Sequence, residues 1–437
     1  MGHIVGKEVF RKLGNKIDNM MFSAPQKDIF YDILKQLYTD EEADLIIKMP
    51  YALSDLERIS KSTGYDKTKL LHLLDSLTSK GLVIDMFVNN AYHYMPSPIV
   101  VGIFEFTMMR TAADLDTKKM AAMFHEYMQG DDAFYAKNFG NGQQVSVMRS
   151  LPHQESIKNA EYVEILDYEK AAAIVDMVDT YSIGICSCRH KKLHLEEKQC
   201  DVPLDNCLSF GIAADYLIRH NFAKQVSKTE MLESLSRAKE QGLVLNSDNV
   251  QRNHRFICQC CKCCCSTLQG ISKFGYPNTI VTSTFIAEID DTTCIGCGKC
   301  AKACPIEAIS MTPIQNPQTK KKNDAHIDET ICLGCGVCAL KCKTGALWLV
   351  KRKQRVIHPE SIFERIVLQS LERGTLQNQM FDDPGKISHK IMRSILGAFF
   401  KITPVHRALM SDALRSTFLK SMETGLAVQG KGWLAKL

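Results

Sequence analysis

The chain has 437 residues, a formal net charge of +5, 45% apolar and 24% charged residues, the balance of a globular protein with more than one domain. Its longest apolar runs, such as 395–400, are too short to cross a bilayer, and its first residues form no apolar signal segment, so a cytoplasmic protein is expected. Eighteen cysteines, all between Cys186 and Cys342, exclude a small secreted disulfide scaffold, and no Cys-x-x-Cys-His offers attachment for a c-type haem. Thiols this crowded point to metal, or to iron with sulfide.

In chain order, residues 26–38, 55–62 and 66–80 are predicted helices. Ser54 is the expected N-cap of the second, and Leu70, Leu71, Leu74 and Leu77 form the apolar side of the third. Gly81 closes that helix, and 82–87 and 91–94 flank Asn89-Asn90 as a predicted hairpin. Three helices and a hairpin resemble a winged-helix domain over residues 1–100, which implies DNA binding through the third helix. That helix sets Asp66 and Asp75 against Lys67 and Lys69 and has no arginine for a base edge. A protein-docking or dimerisation role is therefore expected, with DNA as the alternative. Residues 102–128 are predicted helical, with methionines that pack rather than ligate.

The region 101–283 reads as a helical stretch followed by a cysteine-rich metal-binding domain. It holds a predicted strand at 181–185, a helix at 208–220 begun by Cys207, and a charged helix at 227–241. Its ten cysteines are Cys186, Cys188, Cys200, Cys207, Cys258, Cys260, Cys261, Cys263, Cys264 and Cys265. Six of them fall within eight residues, and neighbours in a chain point in opposite directions, so they cannot all be inert core thiols. One or two further iron–sulfur clusters are expected here, with zinc or a redox-active thiol as alternatives. Cys186, Cys188, Cys200 and Cys207 form one candidate quartet. His190 and His194, in a basic stretch with Arg189, Lys191 and Lys192, read as surface residues of a loop, or alternatively as metal ligands.

Two segments then repeat at an offset of 38 residues: Cys294-Ile-Gly-Cys297-Gly-Lys-Cys300-Ala-Lys-Ala-Cys304 and Cys332-Leu-Gly-Cys335-Gly-Val-Cys338-Ala-Leu-Lys-Cys342. Three cysteines spaced by two residues wrap one cubane, and the fourth reaches the other cluster. Cluster one is thus assigned Cys294, Cys297, Cys300 and Cys342, and cluster two Cys332, Cys335, Cys338 and Cys304. Glycines 296, 298, 334 and 336 permit the tight loops. A pair of zinc sites would use four local thiolates each and gives no reason for this run. Segments 284–289 and 324–328 before the quartets, and 308–312 and 346–350 after them, are predicted strands.

Residues 284–351 closely resemble the bacterial-type dicluster ferredoxin, which implies a small α+β fold with two 4Fe–4S clusters. With the upstream cysteines and the basic C-terminus, residues 160–420 resemble ferredoxin-domain proteins of anaerobic microbes. The family has proline after both fourth cysteines, whereas here Pro305 is matched by Lys343. Lys341 and Lys343 flank Cys342 and predict unequal cluster potentials. Lys320, Lys321 and Lys322 read as a solvated loop.

From residue 351 onward, 15 Lys and Arg oppose seven Asp and Glu, and 352–437 is a predicted basic helical region. Ile387, Ile391, Ile395 and Phe399 recur at i, i+4 on a helix that also bears Lys390, Arg393 and Lys401, and 405–422 reads as a second helix. Packing on the ferredoxin module or a partner is expected, and peripheral contact with an anionic membrane is the alternative.

The whole reads as a multi-domain α+β protein: a winged-helix-like domain, a cysteine-rich middle domain, a dicluster ferredoxin domain and a helical C-terminus. No Gly-x-Gly-x-x-Gly follows a strand and no Walker loop occurs, so the chain carries no sign of its own nicotinamide, flavin or ATP site. The expected function is iron–sulfur electron transfer to and from a redox partner protein, as the electron-input subunit of a cytoplasmic oxidoreductase. The alternatives are a redox-sensing transcription regulator and a self-contained reductase acting at the upstream cysteines. The sequence names no catalytic residue.

Overall fold

A computed structural model describes every residue except 1, 112–113, 159–164, 315–320, 322, 354–355, 357, 429 and 437; the predicted loop lysines 320 and 322 lie outside the described residues. After an opening helix (Gly2–Asp18) come Asp28–Leu37, Asp40–Lys48, Leu56–Thr63 and Lys67–Ser79. The helix Asp40–Lys48 escaped the sequence reading, although Thr39 and Glu42 form a capping box that starts it. The next helix is capped by Asp55 rather than Ser54: its carboxylate accepts from the Arg58 N–H at 2.8 Å. In Lys67–Ser79, Leu70, Leu74 and Leu77 are buried while Leu71 faces solvent.

The hairpin joins Val83–Val88 to Ala91–Pro96, and Ser54–Asp55 adds a short third strand beside the latter. Asn89 and Asn90 both take positive φ (52° and 60°), the requirement of a two-residue turn that follows strand twist. The strand Val83–Val88 is covered by the helix Gly211–Arg219: the Tyr216 hydroxyl donates to the Val83 carbonyl, and Arg219 and His220 bond Asp85 at 2.6 and 2.8 Å. The stretch 102–128 is two helices, Phe104–Met109 and Thr117–Gln129, rather than one. Met108, Met120 and Met128 pack in a first core that runs from Phe10 to Met148 and adds Phe256.

Next comes a six-stranded antiparallel sheet in the order Met148–Leu151, Val244–Asp248, Phe256–Cys260, Asp205–Phe210, Tyr181–Ile185, Ala223–Gln225. Cys207 does not begin a helix. It lies within Asp205–Phe210, directly opposite Cys258, and the helix starts at Gly211. Both edges of this segment are paired, to Tyr181–Ile185 and to Phe256–Cys260, and such tertiary pairing overrides local helical periodicity. The charged helix Lys228–Gln241 is started by a Ser227–Glu230 capping box.

In the third region the strands pair crosswise: Phe285–Ile289 with Leu347–Lys351, and Ile309–Pro313 with Asn323–Ile327. Each pair takes one strand from before one quartet and one from after the other, which interlocks the two repeats.

The C-terminal helices are Ile362–Glu372, Leu376–Met380, Ile387–Phe400, Thr403–Met410 and Asp412–Val428. The predicted helix 405–422 is broken at Ser411, which is extended (ψ 151°). The stripe Ile387, Ile391, Ile395 and Phe399 does not pack inward: these residues are 77, 54, 56 and 46% exposed, and the helix buries Gly397 and Phe400 instead. This segment is tied to the N-terminal helices by Arg58–Asp382 (2.5 Å) and Ser62–Asp383 (3.0 Å). Among the described residues, no helix is long and apolar enough to cross a membrane.

Candidate metal centres

The ferredoxin loops are shaped by glycine. Gly298 and Gly336, at φ 71° and 81°, open the short helices Lys299–Ala303 and Val337–Leu340. Gly296 and Gly334 press on neighbouring strands: an added Cβ would lie 2.1 Å from the Asn323 carbonyl oxygen and 2.0 Å from that of Phe285. Each loop thereby curls around a cavity. One, of about 380 Å³, is lined by Cys294, Cys297, Cys300 and Cys342, and the other, of about 340 Å³, by Cys332, Cys335, Cys338 and Cys304. The remaining walls are largely Ala, Gly, Ile and Leu, with no carboxylate or imidazole. Four thiols around a near-apolar cage of similar size fit an iron–sulfide cluster at each place.

The two cages differ in exposure. Cys304, Cys332, Cys335 and Cys338 are all buried, whereas Cys294, Cys300 and Cys342 are half-buried and Cys297 is exposed. Burial pushes the Cys335 thiol up to about 12. For Cys342 burial acts in the same direction but is outweighed by hydrogen bonds from the Thr344 hydroxyl and the N–H groups of Thr344, Ala346 and Leu347, which hold its pKa down. Of the flanking lysines, Lys341 donates to the Glu240 carbonyl at 3.3 Å, and Lys343 is exposed. Lys321, expected in a solvated loop, is 15% exposed and bridges Asp291 (3.3 Å) and Asp324 (2.6 Å).

The ten upstream cysteines divide into two groups. Cys186 precedes the helix Ser187–His194, and Cys188 lies in its first turn. Cys207 and Cys258 face each other across strands, Cys260 is two residues beyond Cys258, and Cys265 caps the helix Ser266–Ser272. Cys207, Cys258, Cys260, Cys265 and Cys188 stand close enough that each thiol shifts the next, and Cys186 stands beside Cys188, Cys207 and Cys260. The second group is Cys200 with Cys261, Cys263 and Cys264. Cys200 is therefore not drawn to Cys186, Cys188 and Cys207, as the candidate quartet had it.

The basic stretch beside them is a buried helix rather than a surface loop: Arg189, His190, Lys191 and Lys192 are 1, 8, 0 and 6% exposed. His190 Nδ1–H donates to the Met108 carbonyl (2.6 Å), and its Nε2 lies 3.0 Å from that of His194, so the two imidazoles engage each other. Lys192 pairs with Glu197. Arg189 and Lys191 make no salt bridge among the described residues. Lys191 bonds Gln129 Oε1 (2.5 Å) and Ser266 Oγ (3.2 Å), and burial brings it down to about 8 against the pull of Cys188. Burial would also lower Arg189, yet Cys186, Cys261 and Cys260 hold it above the usual arginine value. Two buried cations without carboxylates are costly unless an anion stands nearby. The groups that stand beside them are thiols, Cys186, Cys260 and Cys261 at Arg189 and Cys188 at Lys191, and sequence reading missed both residues because a run of charges reads as a solvated face.

Residues 293–346 match the family model of the 4Fe-4S dicluster domain. No curated protein and no solved structure matches the chain. This segment is a ferredoxin-type iron–sulfur module, and with the many cysteines it supports a role in iron–sulfur electron transfer.

Proposed function

We propose that the chain is the electron-input subunit of an oxidoreductase, with a path that runs from the surface inward. The quartet Cys294, Cys297, Cys300 and Cys342 faces a redox partner protein, the quartet Cys332, Cys335, Cys338 and Cys304 forms the buried step, and Cys186, Cys188, Cys207, Cys258, Cys260 and Cys265 hold a further cluster at the end. A 4Fe–4S cluster supplies one-electron transfer with no bond made or broken. The chain's own residues decide access and direction. Cys297 leaves an exposed edge for a donor, while the buried quartet excludes water. The observation that carries the reading is continuity: Cys304, Cys332, Cys335 and Cys338 share one apolar cluster with Cys260 and Cys265, and Cys258 packs against it. Arg189 and Lys191 offset negative charge at the inner end.

The winged-helix resemblance fits partner docking better than DNA. Lys67 and Lys69 on the helix Lys67–Ser79 are paired with Glu57 and Glu41, which leaves these two cations engaged, and the hairpin's outer strand is covered.

Cys304→Ala and Cys342→Ala test the path. In anaerobically purified protein, electron paramagnetic resonance of the reduced Cys304→Ala variant should lack the signal of the buried cluster and keep the exposed one, and Cys342→Ala should do the reverse. In Cys304→Ala the upstream centre should also be reduced more slowly by an external donor. Loss of only the local cluster in each variant would refute the crossed ligation, and an unchanged rate at the upstream centre would refute the inward path.

A further inference from the structure

Cys200, Cys261, Cys263 and Cys264 are held at a spacing of a different kind. Their sulfurs lie 3.6 Å apart for Cys200 and Cys261, 3.8 Å for Cys261 and Cys263, and 3.5 Å for Cys263 and Cys264, and all four ligand atoms fall within 4.8 Å of one another. A tetrahedral ion with metal–sulfur bonds of about 2.3 Å holds its sulfurs roughly 3.8 Å apart. A cubane binds its four thiolates on four separate irons at its corners and so keeps them further apart. Among the described residues no other group of three or more metal-binding donors is drawn within that 4.8 Å; the ferredoxin quartets are wider.

We propose that these four cysteines form a mononuclear tetrathiolate site for one thiophilic divalent ion, zinc or iron, separate from every cluster. The donor set is all thiolate and closed at four, the composition of a structural site with no open position. Its place in the fold suits that role. Cys200 lies in the connection between Ser187–His194 and Asp205–Phe210, and Cys261, Cys263 and Cys264 lie in the turn between Phe256–Cys260 and Ser266–Ser272. Those four elements, with Cys186 just before the first and Cys265 just before the last, carry all six cysteines of the other group. One ion therefore staples together the two connections that hold the inner cage in shape. Four thiolates with one divalent ion leave two negative charges, and the Arg189 guanidinium beside Cys261 offsets part of that charge. Cys264 is 1% exposed, while Cys200 and Cys263 are half-buried and leave the ion within reach of a chelator.

This inference does not depend on the inward electron path. The test uses the full chain, purified anaerobically, with zinc, iron and acid-labile sulfide counted in the wild type and in Cys263→Ala and Cys200→Ala. Each variant should lose one metal ion per chain with sulfide unchanged and the ferredoxin resonance signals intact. X-ray absorption at the zinc edge should show a single sulfur shell near the tetrathiolate distance with no metal–metal scattering. If the ion is iron, Mössbauer spectra should show one isolated high-spin site beside the clusters. Loss of sulfide together with metal in the variants would overturn the proposal, because the cysteines would then belong to a cluster. Should a variant fail to fold, the wild-type spectra still decide: absence of both an isolated zinc site and an isolated iron site would overturn it.

Discussion

In the ferredoxin module eight cysteines come from one spacing used twice, and glycine loops pressed against neighbouring strands hold them around two cages of nearly equal size. In the upstream field ten cysteines come from a helix start, two paired strands, a loop and a tight turn, and they meet only because the sheet brings those pieces together. The two regions also handle negative charge differently. Backbone N–H groups and the Thr344 hydroxyl serve Cys342 in the first, whereas buried Arg189 and Lys191 stand in the second. A local loop motif brings its electrostatics with its own backbone. An assembled site has to import cations from elsewhere in the fold.

The comparison breaks most readily at Arg189. Arg189→Met removes a buried charge and keeps most of the side-chain volume, leaving the thiolates of Cys186, Cys260 and Cys261 without it. Breaking a buried pair from one side costs about 3–5 kcal/mol. Thermal unfolding of the loaded protein should fall accordingly, with upstream metal lost and the ferredoxin resonance signals retained. Unchanged melting and metal content would show that the field carries no anion.

The second variant sharpens the comparison from the module's side. Gly334→Ala puts a Cβ 2.0 Å from the Phe285 carbonyl oxygen at φ 66°, while Gly298→Ala, at φ 71°, meets nothing closer than 3.9 Å. Overpacking costs about 1–3 kcal/mol and the left-handed backbone about 1–2 kcal/mol, so Gly334→Ala carries both and Gly298→Ala only the second. Chelator challenge should strip the buried cluster from Gly334→Ala well before either cluster leaves Gly298→Ala. The upstream metals should be indifferent to both. Equal lability of the two variants would mean that the contact with Phe285 relaxes freely.

The same difference explains what the sequence could disclose. Cysteine spacing and the four strands around it were legible because each quartet and its flanking strands are local in sequence; the crosswise pairing, which joins the two repeats, shows only in the fold. The hairpin was legible through Asn89-Asn90 and the end of the helix before it through Gly81, whereas the cap Asp55 and the capping box of Thr39 and Glu42 were not read. Cys207 was misread because what makes it strand is Phe256–Cys260, far along the chain. Arg189 to Lys192 were misread because only the assembled fold reveals what compensates buried charge. The stripe from Ile387 to Phe399 has helical periodicity, yet periodicity states that a face exists and not what covers it.

The smallest effect is expected at Lys343. The sequence suggested that the lysines beside Cys342 set the cluster potentials apart, but Lys341 is committed to the Glu240 carbonyl and Lys343 is exposed. A charge ~6 Å away through water is worth roughly 0.7 kcal/mol, or about 30 mV for a one-electron couple, before salt screens it further. Lys343→Pro should therefore lower the potential at the exposed quartet by less than that and leave the buried quartet unmoved. The larger asymmetry comes from burial: the reduced, more negative state is disfavoured where water is excluded, so the buried quartet should sit lower. An electron entering at Cys297 then climbs a step before it reaches the upstream field, where Arg189 and Lys191 favour the reduced state and draw it on. Redox titration of wild type and Lys343→Pro checks both statements. A shift above about 60 mV, a tenfold change in the one-electron equilibrium, would show Lys343 turned toward Cys342, and the contrast between backbone-supplied and side-chain-supplied charge would no longer separate the two regions.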